Sequence, residues 1–159
     1  MIRHDLQRFG CYLGLALLIA LADITMKTAV MSFLLSHETS FYPVFNGFNV
    51  HVVWNTGVSF GMLRGLPPVV LLTLTGGVVM GLLVWLYKTK KTSERWALSL
   101  IVGGALGNIR DRVLYGAVFD FLDFYVGSYH WPAFNLADSC IVVGVLVLLY
   151  SQIVPKKGV

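Results

Sequence analysis

The sequence GGALGNIRDRVLYGAVFDFLDFYVGSYHWPAFNLAD, residues 103–138, places a group of polar side chains between two strongly apolar segments. Four of the eight acidic residues of the chain fall in this window. A membrane protein tolerates such groups only where they face a cavity, a partner or water. We therefore expect a site at one face of a bilayer, built from Asn108, Asp111, Arg112, Asp120, Asp123, Asn135 and Asp138.

The composition predicts a single integral membrane domain. Of the 159 residues, 57% are hydrophobic and 13% are charged, and the mean hydropathy is +0.74, far from the balance of a soluble domain. Cys11 and Cys140 lie in or beside apolar runs, which argues against a disulfide framework or a thiolate metal cluster. The net charge of +4 comes from basic residues that flank apolar segments, so it indicates membrane topology and no nucleic-acid partner.

Four apolar segments are candidates for spanning helices, at residues 9–35, 67–87, 96–112 and 134–154. Basic residues stand before the first, between the second and third, and after the fourth, at Lys156 and Lys157. This pattern places both termini in the cytoplasm and predicts that a loop over residues 111–131 faces outward. The fold class is therefore a mainly α membrane protein with four transmembrane helices. A cleaved signal peptide ending at Ala20-Leu21-Ala22 is the alternative for the first segment.

Residues 36–64 follow a period of two and predict a small β-element on the outer surface. Two aromatic and β-branched runs, at residues 41–45 and 48–54, are separated by Asn46-Gly47, a strong signal for a hairpin turn. The element ends in Asn55-Thr56-Gly57-Val58-Ser59-Phe60-Gly61, where glycine permits a turn or a close backbone approach.

Three predicted helices carry a polar residue at a similar depth. At about 1.5 Å per residue from the basic end of each helix, Asp23, Asn108 and Asp138 lie about 22, 20 and 27 Å into the membrane. All three depths fall in the outer part of a core roughly 30 Å thick. We expect the three side chains to share one shallow layer.

Several carboxylates have a structural explanation. Asp23 and Lys27 stand four residues apart on one helix face and are expected to form an ion pair. Arg112 needs an acceptor or water near lipid, so Asp111 is expected to be a structural partner or a helix-end residue. His51 and His130 are interpreted as lone loop histidines.

Asp120, Asp123 and Asp138 remain as candidates for chemistry. Asp138 lies one turn into the fourth helix, with Asn135 on nearly the same face, and Asp120 lies in a β-like run without an adjacent cation. Two carboxylates in a poorly solvated site share a proton, so that one activates water while the other donates to a carbonyl oxygen. Such a pair hydrolyses an amide with neither a metal nor a covalent nucleophile, and serine triads, metalloprotease motifs and phosphate loops are absent from the sequence.

The arrangement of these motifs closely resembles that of the bacterial lipoprotein signal peptidase family, signal peptidase II. The resemblance covers nearly the whole chain and rests on Asp23-x-x-x-Lys27, Asn55-x-Gly57-x-x-Phe60, Gly107-Asn108-x-x-Asp111-Arg112, Val118-x-Asp120-Phe121-x-x-Phe124 and Phe134-Asn135-x-Ala137-Asp138. Two positions depart from the pattern: Ile24 replaces a frequent glutamine, and Arg110 occupies a usually apolar position.

The resemblance implies an aspartic endopeptidase of the inner membrane with its active site on the periplasmic side. Its substrate would be a prolipoprotein, cleaved just before the diacylglyceryl-modified cysteine, and no metal or cofactor is expected. Asp120 and Asp138 would form the catalytic pair. The residues that line or support the site would be Asn55, Gly57, Asn108, Arg112 and Asn135, with Asp23 and Lys27.

Two other classes of function use the same residues. In a proton-coupled transporter or channel component, the buried aspartates would relay protons. In an assembly factor without catalytic activity, the polar layer would only join the helices.

Overall fold

The computed structural model describes residues 2–57, 65 and 67–153, with side chains from residue 5 onward. Phe60, Lys156 and Lys157, which entered the sequence predictions, lie outside the described residues. The helices are α1 (Ile2–Ser36), α2 (Pro68–Lys88), α3 (Thr92–Tyr115) and α4 (Leu136–Ile153). The strands are β1 (Phe41–Phe45), β2 (Phe48–Asn55), β3 (Val118–Val126) and β4 (Tyr129–His130).

Helix α3 is the central helix and packs against the other three. Its glycines permit this close packing, since a Cβ at Gly103 would lie 2.6 Å from the Ala16 carbonyl oxygen of α1. Gly104 approaches α4 in the same way, and small residues of this kind allow helix backbones to come close in membrane proteins. The glycine-rich sequence of α3 therefore allows α1 and α4 to pack directly against its backbone.

Three of the helices in the described part of the chain are long and apolar enough to cross a membrane: Asp5–Ser36, Pro68–Lys88 and Leu136–Ile153. The predicted third span lies in α3, which is a continuous helix but is much less apolar. Its buried residues include Glu94, Arg95, Asn108, Asp111 and Arg112. The mainly helical fold is confirmed, and the polar residues of α3 are buried against its neighbours.

The predicted hairpin is confirmed. Strands β1 and β2 pair in antiparallel fashion, and Gly47 in the turn between them has a φ of 102°, which glycine adopts without the strain of a side chain. The rest of the sheet was not predicted, because residues 111–131 were interpreted as a loop. That interpretation is wrong: α3 continues to Tyr115, and the chain then forms β3 and β4.

The four strands form a sheet in the order β1-β2-β3-β4. Strand β3 pairs with β2 so that Asp120 lies opposite Val53 and Asp123 lies opposite Asn49. The run VFDFLDFYV is rich in the aromatic and β-branched residues that favour strands, and its first four residues are all buried. His51 and His130 consequently lie in strands β2 and β4, which corrects their placement in loops.

The segment before α4 is tied to the middle of β3. Leu122 and Phe134 form an antiparallel bridge, and the backbone N–H groups of Phe121 and Leu122 both donate to the Phe134 carbonyl, at 3.1 and 2.9 Å. These bonds bring the first turn of α4, which carries Asp138, beside the strand that carries Asp120.

Candidate active site

Asp120 and Asp138 line the same cavity, which has a volume of about 410 Å³. Asp120 is buried and Asp138 is partly exposed. The other lining residues are mostly apolar: Trp131, Pro132, Ala133, Phe134, Val142 and Val143, with Asn55 and Ser139. Asn55 and Asp138 also line a second cavity of about 130 Å³, which Asn108 and Arg112 share. Two predicted catalytic carboxylates are thus brought to the wall of one pocket.

Asn135 joins the two carboxylates. Its side-chain Nδ2 donates to Asp120 Oδ1 at 2.7 Å, and its Oδ1 accepts from the backbone N–H of Asp138 at 2.9 Å. The backbone N–H of Asn135 donates in return to Asp138 Oδ2 at 3.3 Å. This reciprocal pattern is a capping box at the start of α4. Asn135, the cap of α4, therefore holds both Asp120 and Asp138 in position.

Two further asparagines complete the contacts of the pair. Asn55 Nδ2 donates to Asp120 Oδ2 at 3.0 Å, and Asn108 Nδ2 donates to Asp138 Oδ1 at 2.8 Å. All the side-chain donors on the two carboxylates are neutral amides within the described residues. Neutral donors orient a carboxylate without supplying a compensating charge.

Asp120 is electrostatically unusual. Its burial, together with the nearby charge of Asp138, raises the pKa of Asp120 from 3.8 to about 7. The hydrogen bonds from Asn55 and Asn135 and the charge of Lys27 act in the opposite direction. Near neutral pH, Asp120 can therefore hold or release a proton, as a group in acid–base chemistry must.

Arg112 does not pair with either carboxylate. Its Nη2 donates to the backbone carbonyl of Gly57 at 2.7 Å, while Gly57 N–H donates to Asn55 Oδ1 at 2.9 Å. Arg112 thereby fixes the turn that follows β2 and, through it, the position of Asn55. Asp111 is a structural partner, as expected, but it pairs with Lys27 and Arg110 and not with Arg112.

Lys27 is the centre of the buried polar layer. Its Nζ lies 2.8 Å from Asp23 Oδ2 and 2.8 Å from Asp111 Oδ2, and it donates to Asn108 Oδ1 at 3.0 Å. The ion pair expected between Asp23 and Lys27 is present. Asp23 Oδ1 also accepts from the backbone N–H of Ala137 at 2.9 Å, so this layer links α1 to α3 and to the first turn of α4.

Asp111 connects the layer to the sheet. Its Oδ2 accepts from the backbone N–H of Phe119 at 3.3 Å, and its Oδ1 lies 3.1 Å from Arg110 Nη1. Because Phe119 immediately precedes Asp120, Asp111 anchors the strand that carries the candidate acid. The sequence motif contained Asp111, but nothing in its spacing indicated a bond to β3.

Asp123, the third candidate carboxylate, belongs to a different cluster. It accepts from Asn49 Nδ2 at 2.8 Å and lies 2.7 Å from His130 Nδ1. Burial acts to raise the pKa of Asp123, but the hydrogen bonds from Asn49 and His130 outweigh it and leave that pKa below its usual value. Asp123 braces the sheet, and the interpretation of His130 as a lone histidine is wrong.

The fold has close counterparts among solved membrane enzymes. The chain is similar to a bacterial membrane enzyme determined by the in meso method at 2.3 Å resolution, with a TM-score of 0.77, 26% identity and 94% of each chain covered. A second such structure, at 1.9 Å resolution, has a TM-score of 0.73 and 26% identity over 94% of this chain and 95% of the other. The fold and its paired carboxylates define a membrane-embedded enzyme.

Comparison of sequences specifies the family. Residues 15–154 match the model of Peptidase_A8, described as signal peptidase (SPase) II, and the chain therefore belongs to the signal peptidase II family of proteases. It is 44% identical over 147 residues to the lipoprotein signal peptidase of Cupriavidus taiwanensis, covering 89% of this chain and 82% of that protein. The lipoprotein signal peptidase of Vibrio cholerae is 40% identical over 152 residues, which covers 92% of this chain and 89% of that protein.

Proposed function

We propose that this chain removes signal peptides from prolipoproteins by cleaving the bond before the diacylglyceryl-modified cysteine, with Asp120 and Asp138 as the catalytic pair. The supporting observation is that the two carboxylates share Asn135 at the wall of one cavity and accept side-chain hydrogen bonds from neutral amides. A pair of this kind carries out acid–base hydrolysis of an amide without a covalent intermediate.

The mechanism needs one proton on the pair. The pKa of Asp120, about 7, lets the pair hold that proton near neutral pH. The ionised carboxylate takes a proton from water as the water oxygen attacks the carbonyl carbon, and the protonated carboxyl gives its proton to the carbonyl oxygen. The tetrahedral intermediate then collapses when the carboxyl that took the water proton gives it to the leaving nitrogen, while the other carboxylate takes a proton from a hydroxyl of the intermediate. The C–N bond breaks, and the pair again holds one proton. The pair titrates as a unit, with macroscopic pKa values that belong to both residues.

Asn55, Asn108 and Asn135 are proposed to align the carboxylates as well as to line the site. In the described structure their amide groups bond to Asp120 and Asp138. A scissile peptide that leaves its helix needs new partners for its backbone groups, because lipid supplies none. The asparagines lie beside the carboxylates where such a segment would lie, and the apolar wall of Phe134, Val142 and Val143 suits acyl chains.

We further propose that α3 crosses the inner membrane with the other helices, with both termini in the cytoplasm and the active site at the periplasmic face. Shielding by α1, α2 and α4 supports this placement, since α3 buries its polar residues against them. The basic residues between α2 and α3, such as Lys88 and Lys91, support the cytoplasmic position of that loop.

The test compares Asp120→Asn and Asp138→Asn with a matched control, Asp123→Asn, which lies on the same strand as Asp120 but outside the cavity. Each purified protein is given a synthetic diacylated prolipoprotein, and the products are identified by mass spectrometry. We expect the first two variants to lose on the order of 10³-fold in cleavage rate, while the control retains its rate per folded molecule.

Two outcomes would contradict the proposal. Undiminished cleavage by either Asp120→Asn or Asp138→Asn would exclude that residue from the catalytic pair. Equal cleavage of a substrate whose cysteine carries no diacylglyceryl group would reject the assigned substrate while leaving the peptidase chemistry intact.

A further inference from the structure

A third cavity, of about 200 Å³, lies between α1, α3 and the sheet, away from the candidate active site. It is lined by residues of all three, including Thr28, Ser32, Trp54, Arg110 and Tyr115. It shares no lining residue with the two cavities beside Asp138. We call it the Arg110 crevice, and the proposed function assigns it no role.

The charges in the Arg110 crevice are arranged with the cation outermost. Asp111 and Lys27, which lie at its inner end, are almost completely buried. The side chain of Arg110, in contrast, is 33% exposed. A group entering the crevice from outside therefore meets a guanidinium, while the carboxylate of Asp111 is sealed behind it.

Most N–H donors of Arg110 have no protein acceptor among the described residues. Its Nη1 bonds to Asp111 Oδ1, and its guanidinium lies 5.5 Å from the centre of the Tyr115 ring. A guanidinium carries five N–H donors, and the bond to Asp111 is its one hydrogen bond to a protein acceptor among the residues that the structure describes. The planar fork suits the oxygens of a phosphate, which it can bind through two parallel bonds.

The surroundings suit an amphiphilic ligand. The hydroxyl groups of Thr28 and Ser32 line the same crevice and can donate to or accept from a headgroup. Beside it, Val113, Leu114 and Tyr115 at the end of α3 are more than half exposed. Tyr115 and Trp54 provide the aromatic side chains that favour the boundary between lipid and water.

We propose that the Arg110 crevice binds one anionic phospholipid, with its phosphodiester on Arg110 and an acyl chain along Val113 and Leu114. A lipid such as phosphatidylglycerol fits better than one with an ammonium headgroup, because the nearby carboxylate of Asp111 is buried and already paired with Lys27 and Arg110. The inference rests on the proposed placement of this end of α3 at the membrane boundary, and it does not depend on the catalytic pair.

The test is lipid retention measured by native mass spectrometry. The protein is purified in detergent and supplied with phosphatidylglycerol or with phosphatidylcholine at equal concentration. The variants are Arg110→Gln and Arg110→Lys, and the matched control is Lys88→Gln, which removes an exposed cation from the last turn of α2.

We expect wild type and Lys88→Gln to retain one phosphatidylglycerol, and Arg110→Gln to bind it about tenfold more weakly, as expected for loss of a charge-assisted contact. Arg110→Lys keeps the charge but not the fork, so its affinity should lie between the two. If Arg110→Gln does not fold, the test is the difference in phosphatidylglycerol affinity between Arg110→Lys and wild type.

Three results would overturn the inference. These are equal retention of phosphatidylglycerol by wild type and both Arg110 variants, equal retention of phosphatidylcholine by wild type, and displacement of the lipid by millimolar inorganic phosphate. The last result would make the crevice a site for free phosphate. Retention is measured without any cleavage, so failure here leaves the proposed peptidase function untouched, and failure of the peptidase assay leaves this site untouched.

Discussion

Substituting Gly107 by alanine should disturb the buried polar layer directly. A Cβ at Gly107 would lie 2.5 Å from Asp23 Oδ2 and 3.1 Å from Asp23 Cγ. Asp23 has no free direction in which to move, because Oδ1 holds the Ala137 N–H and Oδ2 holds Lys27. Either the helices must separate or Asp23 must give up one of these contacts.

The expected effect can be estimated from these contacts. Overpacking a well-packed site destabilises by about 1–3 kcal/mol, and loss of a hydrogen bond to a charged group adds about 1.5–3 kcal/mol. Replacing glycine by alanine in a helix stabilises the helix by about 1 kcal/mol, which offsets part of this loss. We therefore expect Gly107→Ala to lower the free energy of unfolding by roughly 1.5–5 kcal/mol.

Gly81→Ala is the matched control, since Gly81 lies in α2 and a Cβ there meets nothing within 4 Å. It should change the free energy of unfolding by no more than about 1 kcal/mol, in the stabilising direction. Unfolding of the two variants and wild type in the same detergent measures both changes. If Gly107→Ala is as stable as Gly81→Ala, Asp23 is not held as the structure indicates, and its role in bracing α4 must be abandoned.

Three further predictions concern the carboxylates. The pKa of Asp120 is about 7 in the folded protein and 3.8 in the free side chain, so the folded state binds more protons than the unfolded state between these pH values. The free energy of unfolding should therefore fall as the pH rises from about 4 to 7. Measured over the same pH range, Asp120→Asn should show a flatter dependence. Lys27→Met leaves the buried Asp23 without its cation and Asp111 with Arg110 alone, and it should lower the unfolding free energy by about 3–5 kcal/mol; an unchanged transition in calorimetry would contradict this. Asp123→Asn should lower it by about 1–2 kcal/mol, with cleavage per folded molecule unchanged; a parallel loss of cleavage would place Asp123 in the catalytic machinery.

The sequence allowed the local elements to be predicted because their signals are local. The hairpin of β1 and β2 depends on the turn at Asn46-Gly47, and the ion pair of Asp23 and Lys27 depends on helical spacing. Strand β3 was not predicted as part of the sheet because its partners in β2, from Phe48 opposite Phe124 to Asn55 opposite Val118, lie far earlier in the chain, and no local pattern specifies such a pairing.

The site itself was predicted only in part, for the same reason. The motifs indicated Asp138 and Asn135 on one helical face, but the bond from Asn135 to Asp120 exists only because Phe134 is held to β3. Likewise, Asp111 was expected beside Arg112, its neighbour in sequence, whereas its carboxylate bonds to Lys27 on another helix. Contacts between elements follow from packing, which residue spacing does not reveal.

The distribution of charge in this layer explains how two carboxylates can stay close together in an apolar chain. A cation bonded to either one would hold it ionised and abolish the shared proton. The two cations of the site motifs, Lys27 and Arg112, bond to other groups. Lys27 pairs with Asp23 and Asp111, and Arg112 donates to the Gly57 carbonyl. Neutral amides are left to hold Asp120 and Asp138. In the proposed mechanism, the supporting residues therefore act by bonding these cations away from the pair while still fixing its geometry, so that its proton remains available for transfer.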